Sequence, residues 1–189
     1  GVGHFLKNVI RFNPKKITGI DISEVSIQKA KDTIRNLKSQ AELMVDNCEK
    51  TKFKSESFDI VYGSGILHHL DMTACINEIN RILKPGGKFL FIEPLGTNPF
   101  INFYRKLTPN SRSKDEHPLI NQDFDLIEGK FKKTKIKYYG FLTLFFFPFY
   151  LSPKNSIVFK LLKNCDQFLF KINIFKKLAW STLIIAEKN

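Results

Sequence analysis

Arg81-Ile82-Leu83-Lys84-Pro85-Gly86-Gly87-Lys88-Phe89-Leu90-Phe91-Ile92-Glu93-Pro94 is the stretch whose reading decides the fold. Upstream of it, Met72–Leu83 has helical periodicity, with Ala74, Ile76, Ile79, Ile82 and Leu83 on the face predicted to be buried. Lys84-Pro85-Gly86-Gly87 cannot continue that helix, because proline lacks an amide proton and clashes with the preceding turn; a turn is predicted there. Lys88–Glu93 then reads as a strand. Its nearly unbroken apolar run places it at the centre of a sheet covered on both faces.

The same alternation extends towards the amino terminus. Lys16–Asp21 is a short strand ending in an acid, and Ser23 or Glu24 opens a helix over Glu24–Leu37 with Val25, Ile27, Ala30, Ile34 and Leu37 facing inward. Ala41–Val45 is a second strand, ending at Asp46, and Phe58–Tyr62 a third, followed by Gly63-Ser64-Gly65. Strands alternating with helices predict an α/β fold with a doubly wound, mostly parallel sheet. After Pro94 the rhythm changes. Helices are predicted over Asn98–Leu107, over Asn121–Glu128 with Asn121 as its cap, and over Ser156–Ile172, with a polar loop at Thr108–Leu119. Lys132–Tyr139 alternates lysine with Thr134, Ile136 and Tyr138, which suits an edge strand, and Ala179–Ala186 is the last strand.

The chain has 189 residues, enough for one compact domain with a small appendage at about 150 residues per domain. Hydrophobic residues make up 43% and charged residues 25%, which excludes wholesale disorder. The three cysteines, Cys48, Cys75 and Cys165, form no C-x-x-C pair. They argue against a disulfide scaffold or zinc knuckle and read as small buried hydrophobes; no metal site is predicted. No basic segment followed by an apolar one opens the chain, so it reads as cytoplasmic and reduced, with membrane association as the alternative. Phe5 stands where a myristoylation motif needs Ser or Thr, and Gly1 reads as the edge of a fragment.

The net charge of +12 is unevenly spread. Residues 1–128 carry 18 basic and 16 acidic side chains, whereas residues 129–189 carry 12 lysines, no arginine, only Asp166 and Glu187 as acids, and 10 of the 19 phenylalanines. This third points to an anionic or amphiphilic partner. Its longest apolar run, Phe141–Leu151, has 11 residues, short of the about 20 that a membrane span needs.

Gly1-Val2-Gly3 precedes a helical stretch, His4–Phe12, and Asp21 lies 18 residues after Gly3. That spacing suits a nucleotide site: the glycines let backbone approach a ligand at a helix start, and the acid ending the next strand takes ribose hydroxyls. Leu6 stands where a dinucleotide site wants a third glycine, which counts against an NAD-dependent dehydrogenase.

With these residues in hand, the sequence resembles the class I S-adenosylmethionine-dependent methyltransferases over about residues 1–95. Gly1-Val2-Gly3 is similar to the end of that family's first motif, and Gly19-Ile20-Asp21-Ile22-Ser23 to its second, where the acid binds ribose. Asp46-Asn47 matches the adenine-contacting position. Ser57–Tyr62 with Ile66-Leu67-His68-His69-Leu70 resembles the fourth strand and the segment beside the methyl donor, and Arg81–Pro94 is the most recognisable stretch. The resemblance implies a Rossmann-like, seven-stranded sheet whose first strand is missing here. Lys132–Tyr139 and Ala179–Ala186 would form the reversed last hairpin. It divides the chain into a cofactor-binding core (1–140), an apolar, lysine-rich insertion or lid (141–178) and a last core strand (179–189). It implies S-adenosylmethionine as cofactor, contacted by Gly1, Gly3, Asp21, Ile22, Asp46, Asn47, Gly63 and Ser64, and a methyltransferase activity.

A sulfonium donor leaves as a neutral thioether and needs no acid, so catalysis would rest on in-line positioning, with a base added for an oxygen acceptor. The expected bases are His117 and Glu116, within Asp115-Glu116-His117-Pro118, with Arg112 and Tyr104 near in sequence and His69 lining the cleft. The alternatives are a solvated loop for 115–118 and packing against the sheet for His68 and His69. The lysine- and phenylalanine-rich end fits a lid or surface on anionic lipid headgroups, hence a small-molecule or lipid-like acceptor. It also fits an RNA methyltransferase, which the lack of arginine after Arg112 weakens, or a solvated face on a packing insertion. A non-catalytic binding partner with the same fold stays open.

Overall fold

The computed structural model describes residues 1–35, 41–108, 116–149 and 156–189. Leu37 of the predicted helix face, Arg112 and Asp115 of the polar loop, and Tyr150 and Leu151 of the apolar run lie outside the described residues. The chain divides into two compact units, Gly1–Lys54 and Ser55–Asn189.

The first unit contains α1 (Leu6–Ile10), β1 (Ile17–Asp21), α2 (Glu24–Ile34) and β2 (Ala41–Val45). β1 and β2 pair in parallel, bringing Asp21 opposite Val45. Ser23 caps α2, its Oγ accepting the Ser26 N–H at 3.2 Å. Ile27, Ala30 and Ile34 form the buried stripe of α2. Val25, expected to join it, is 65% exposed, because it lies about 200° around the helix from Ile27.

The second unit runs β3 (Phe58–Ser64), a 3-10 turn at Leu67–His69, α3 (Met72–Ile82), β4 (Leu83–Pro94), α4 (Pro99–Leu107), α5 (Asn121–Lys130), β5 (Lys135–Tyr139), a 3-10 segment Leu142–Phe149, α6 (Ile157–Leu169), α7 (Asn173–Lys176) and β6 (Ser181–Glu187). Its sheet has the order β3-β4-β6-β5. β3 and β4 are parallel, and β6 runs antiparallel between β4 and β5. The apolar β4 is therefore internal and the lysine-bearing β5 lies at the edge.

Coverage of this sheet is less even than the apolar run of β4 predicts. Phe89 and Phe91 are buried, while Ile60, Tyr62 and Ile92 are 56%, 41% and 39% exposed. α3 contacts β4 and α5 packs beside α3, so the core lies on the Phe89–Phe91 face. There Phe89 stacks on Phe91 and Phe131, at centroid distances of 4.5 and 5.4 Å. Leu67, Ile76, Leu83, Ile127 and Ile184 are within 1% of full burial; each such side chain stabilises the fold by about 1.5–3 kcal/mol.

Several local expectations change. Lys84–Gly87 is not a separate turn between helix and strand: β4 pairs from Leu83 opposite Phe58 and resumes at Lys88 opposite Ile60, so the four residues bulge out of a continuous strand. In α3, capped by Asp71 through the Ala74 N–H, Met72 and Cys75 are buried and Ala74 is half-buried. Asn121 does not cap α5. Ile120 is the extended residue before the helix, and its N–H donates to Asp123 Oδ2 at 2.8 Å. Ser156 caps α6, which ends at Leu169 rather than Ile172. Only Cys75 is buried. Cys48 is half-buried and Cys165 exposed, on the outer side of α6. No helix among the described residues is long and apolar enough to cross a membrane.

Candidate functional site

In the first unit the parallel pairing sets two acids at the same end of adjacent strands. Asp21 closes β1, Asp46 follows β2, and the Asp46 N–H donates to the Asp21 carbonyl at 3.2 Å. Asp21 Oδ1 accepts the Ser23 N–H at 2.8 Å, and Oδ2 takes the amino group of Gly1. Burial pushes the Asp21 carboxyl up. The Ser23 N–H bond acts in the opposite direction and favours the ionised form. Ile22 beside it presents a 76% exposed side chain. Gly3 adopts a φ of +80° and packs closely on Ala30, where a Cβ would meet the Ala30 Cα at 3.2 Å.

Asp46 is 9% exposed, and its two oxygens accept the N–H groups of Asn47 at 3.0 Å and Lys52 at 3.1 Å. Asn47 Oδ1 accepts the Glu49 N–H. These bonds make Asp46 the organiser of the loop after β2, a role that the strand-end position alone did not reveal.

In the second unit the ends of β3 and β4 are tied by a buried carboxyl–imidazole hydrogen bond. Glu93, 1% exposed, accepts the N–H groups of Ile66 and Leu67 on Oε1 at 3.0 and 3.1 Å, and its Oε2 lies 2.7 Å from His68 Nδ1. Nε2 is the ring's other polar atom. His69, exposed, has its ring centroid 4.1 Å from that of His68. Gly63 and Ser64 end β3 opposite Phe91 and Ile92.

The 116–119 segment joins the same turn. The His117 N–H donates to the His68 carbonyl at 2.8 Å, and Leu119 exchanges backbone bonds with Pro94 and Gly96. Gly96 is required at this approach, since a Cβ there would lie 2.6 Å from the Pro118 oxygen. The fold thus brings the predicted His69 and His117 to one turn, with Glu116 half-buried beside them. Tyr104 lies on α4 and is 57% exposed. Glu93 and His68 are the residues that site prediction missed. An acid closing an all-apolar strand was the available signal, because a carboxylate there is buried only when paired.

Within each unit the polar side chains stand at the carboxyl ends of parallel strands, Asp21 and Asp46 after β1 and β2 in the first and Glu93 with His68 after β4 and β3 in the second, which is where Rossmann-like α/β folds place their ligands. Residues 1–91 match the family described as methyltransferase domain. The sterol 4-C-methyltransferase strm-1 of Caenorhabditis elegans is 28% identical over 103 residues, 53% of this chain and 30% of that protein. Demethylmenaquinone methyltransferase of Lactococcus lactis subsp. lactis is 32% identical over 93 residues, 48% of this chain and 36% of that protein. The crystal structure of geranyl diphosphate C-methyltransferase from Streptomyces coelicolor A3(2) superposes with a TM-score of 0.67 at 12% identity, covering 100% of this chain and 67% of that one. Residues 1–91 are thus similar in sequence to methyltransferase domains, and the fold of the chain is similar to that of S-adenosylmethionine-dependent methyltransferases. The chain spans about a third of the length of these two curated relatives.

Proposed function

We propose that this protein transfers a methyl group from S-adenosylmethionine to a small-molecule or lipid-like acceptor. The observation that carries the reading is the Asp21–Ile22 pair at the carboxyl end of β1. It combines a half-buried carboxylate, which can accept from vicinal ribose hydroxyls, with an exposed apolar side chain, which can lie against a flat base. Both lie in the stretch that matches the methyltransferase domain. Gly1, Gly3, Asp46, Asn47, Gly63 and Ser64 complete the proposed cofactor set.

The cofactor, when bound, supplies an electrophilic methyl on a sulfonium whose departure leaves a neutral thioether. The chain's part is then to hold the acceptor in line with that methyl and, for an oxygen acceptor, to take its proton. His117 and Glu116 are the proposed bases and His69 a proposed lining residue. A lipid-like acceptor is supported by α4, which follows β4 and exposes Phe100, Phe103, Tyr104 and Leu107 at 70%, 65%, 57% and 65%. Those four recur at the helical spacing of one face. The curated sterol and demethylmenaquinone methyltransferases point to the same acceptor class. A peripheral contact with anionic membrane belongs to this reading.

Titration calorimetry with S-adenosylmethionine tests the cofactor site. Binding is expected, and Asp21→Ala is expected to weaken it at least tenfold, the loss of about one charged hydrogen bond. Equal binding by the variant would overturn the assignment. For the base, His117→Ala and Glu116→Ala are compared in turnover with an accepted substrate. One of them is expected to lower kcat by about a hundredfold, and full turnover in both would remove the proposal.

A further inference from the structure

α6 carries two apolar sides. One faces inward, with Phe159 and Leu162 half-buried and Asp166 buried at 2%. The other faces out: Ile157, Leu161 and Phe168 are 74%, 58% and 66% exposed. With Cys165 they follow the i, i+4, i+8, i+11 spacing of one stripe. The outward apolar surface continues beyond the helix at Ile172 and Ile174, 49% and 69% exposed. Lysines border it, and Lys171 Nζ lies 5.8 Å from the Phe168 ring centroid. A soluble surface seldom spends so many large side chains in one contiguous patch without a partner.

The charges around the patch say what that partner is. Residues 129–189 hold 12 lysines and two acids, Asp166 and Glu187. Asp166 is consumed inside the fold, accepting the N–H groups of Phe141, Leu142 and Thr143 and the Thr143 hydroxyl. Glu187 is paired with Lys133 at 3.1 Å. Neither acid remains to neutralise the lysines beside the stripe. Next to it, a groove of about 250 Å³ is lined by Lys137, Lys171 and Lys176, with Tyr138 and Phe170 among its other walls. Glu128 is the acid whose charge reaches Tyr138.

We infer that α6 and α7 form a docking face for an anionic lipid bilayer. The stripe enters the headgroup boundary, the flanking lysines meet lipid phosphates, and the groove between Lys137, Lys171 and Lys176 receives one headgroup. An apolar helix face edged by lysine is the form in which a helix lies in a membrane interface. Lysine serves here as a point charge on mobile phosphates, with no need for the planar fork of arginine. The inference deepens the reading of a lipid-like acceptor, since a face of this kind would bring the enzyme to where such an acceptor is dissolved.

Flotation of the 189-residue chain with vesicles of phosphatidylcholine containing phosphatidylglycerol, without cofactor, tests it. Strong enrichment is expected, with little on phosphatidylcholine alone and a decline as salt rises. Lys171→Glu with Lys176→Glu is expected to lower binding at least tenfold, given about fivefold per lysine near such a surface. Phe168→Ser with Ile174→Ser, its fold checked by circular dichroism, is expected to lower it at moderate salt to a similar degree. Absence of enrichment on anionic vesicles overturns the inference, as does unchanged binding in the serine variant. Two further outcomes would also overturn it: tighter binding to a single-stranded oligoribonucleotide than to the vesicles, or a dimer that loses its interface in the serine variant. Because the assay omits S-adenosylmethionine, its failure leaves the calorimetric test of Asp21 untouched, and the converse holds.

Discussion

Glu93 is buried at 1% exposure and spends both oxygens on the turn after β3. Removing its oxygens leaves the buried donors that they satisfy without partners, at a cost of about 1–3 kcal/mol for each group. Glu93→Ala is therefore expected to lower unfolding free energy in urea by about that amount, whereas Glu93→Gln, which keeps one acceptor oxygen for Ile66 and Leu67, is expected to lose less. Equal losses would mean that the backbone bonds contribute nothing and the pair with His68 everything. This residue also marks the limit of what could be read from the chain. Asp21 was legible because its place after a glycine pair and a short strand is a local pattern. The pairing of Glu93 with His68 joins residues 25 positions apart, and depends on the path of a loop that no local pattern specifies. Asp46 shows the opposite limit: its position was found, but its two backbone partners were not.

At the scale of elements, legibility followed periodicity. The apolar run of β4, the lysine alternation of β5 and the strands around Asp21 and Asp46 were found near their observed places, because a period of two or an unbroken apolar run reports burial directly. Errors gathered where backbone pairing overrides local preference. Lys84–Gly87 has the residues of a turn, yet Leu83 is already paired with Phe58, so the turn becomes a bulge in one strand. Ile120 precedes α5 in place of Asn121 because the side chain of Asp123, inside the first turn, supplies the acceptor. α6 was recognised as amphipathic, but its sequence does not say that its inward side is held by an acid. Asp166 gathers the backbone N–H groups of Phe141, Leu142 and Thr143 and the Thr143 hydroxyl, which fastens the start of the phenylalanine-rich 3-10 segment to the helix and leaves the helix's second apolar side outward.

At the scale of the whole molecule, burial is concentrated in one unit. The hydrophobic cluster built around Leu67, Phe89, Ile127 and Ile184 lies entirely within Ser55–Asn189. Among the described residues, the buried apolar side chains of Gly1–Lys54 are Ile27, Ala30 and Ile34. A unit of this size with so small a core is marginal, since chains of about 60 residues bury only about 60% of their unfolded surface. Urea is therefore expected to unfold β1, α2 and β2 before the β3-β4-β6-β5 sheet. The single tryptophan, Trp180, lies in the second unit, so its fluorescence follows that unit alone while far-ultraviolet circular dichroism follows both. The dichroism should begin to fall at lower urea than the fluorescence. Coincident curves would mean that the two units unfold as one and that the smaller core is sufficient. S-adenosylmethionine separates the cases further. If Asp21 binds it, a concentration of 100 times Kd stabilises the bound state by about 2.7 kcal/mol. That stabilisation should move the early dichroism phase towards the fluorescence transition and leave the latter in place, because the ligand is released once the unit that carries Asp21 has opened.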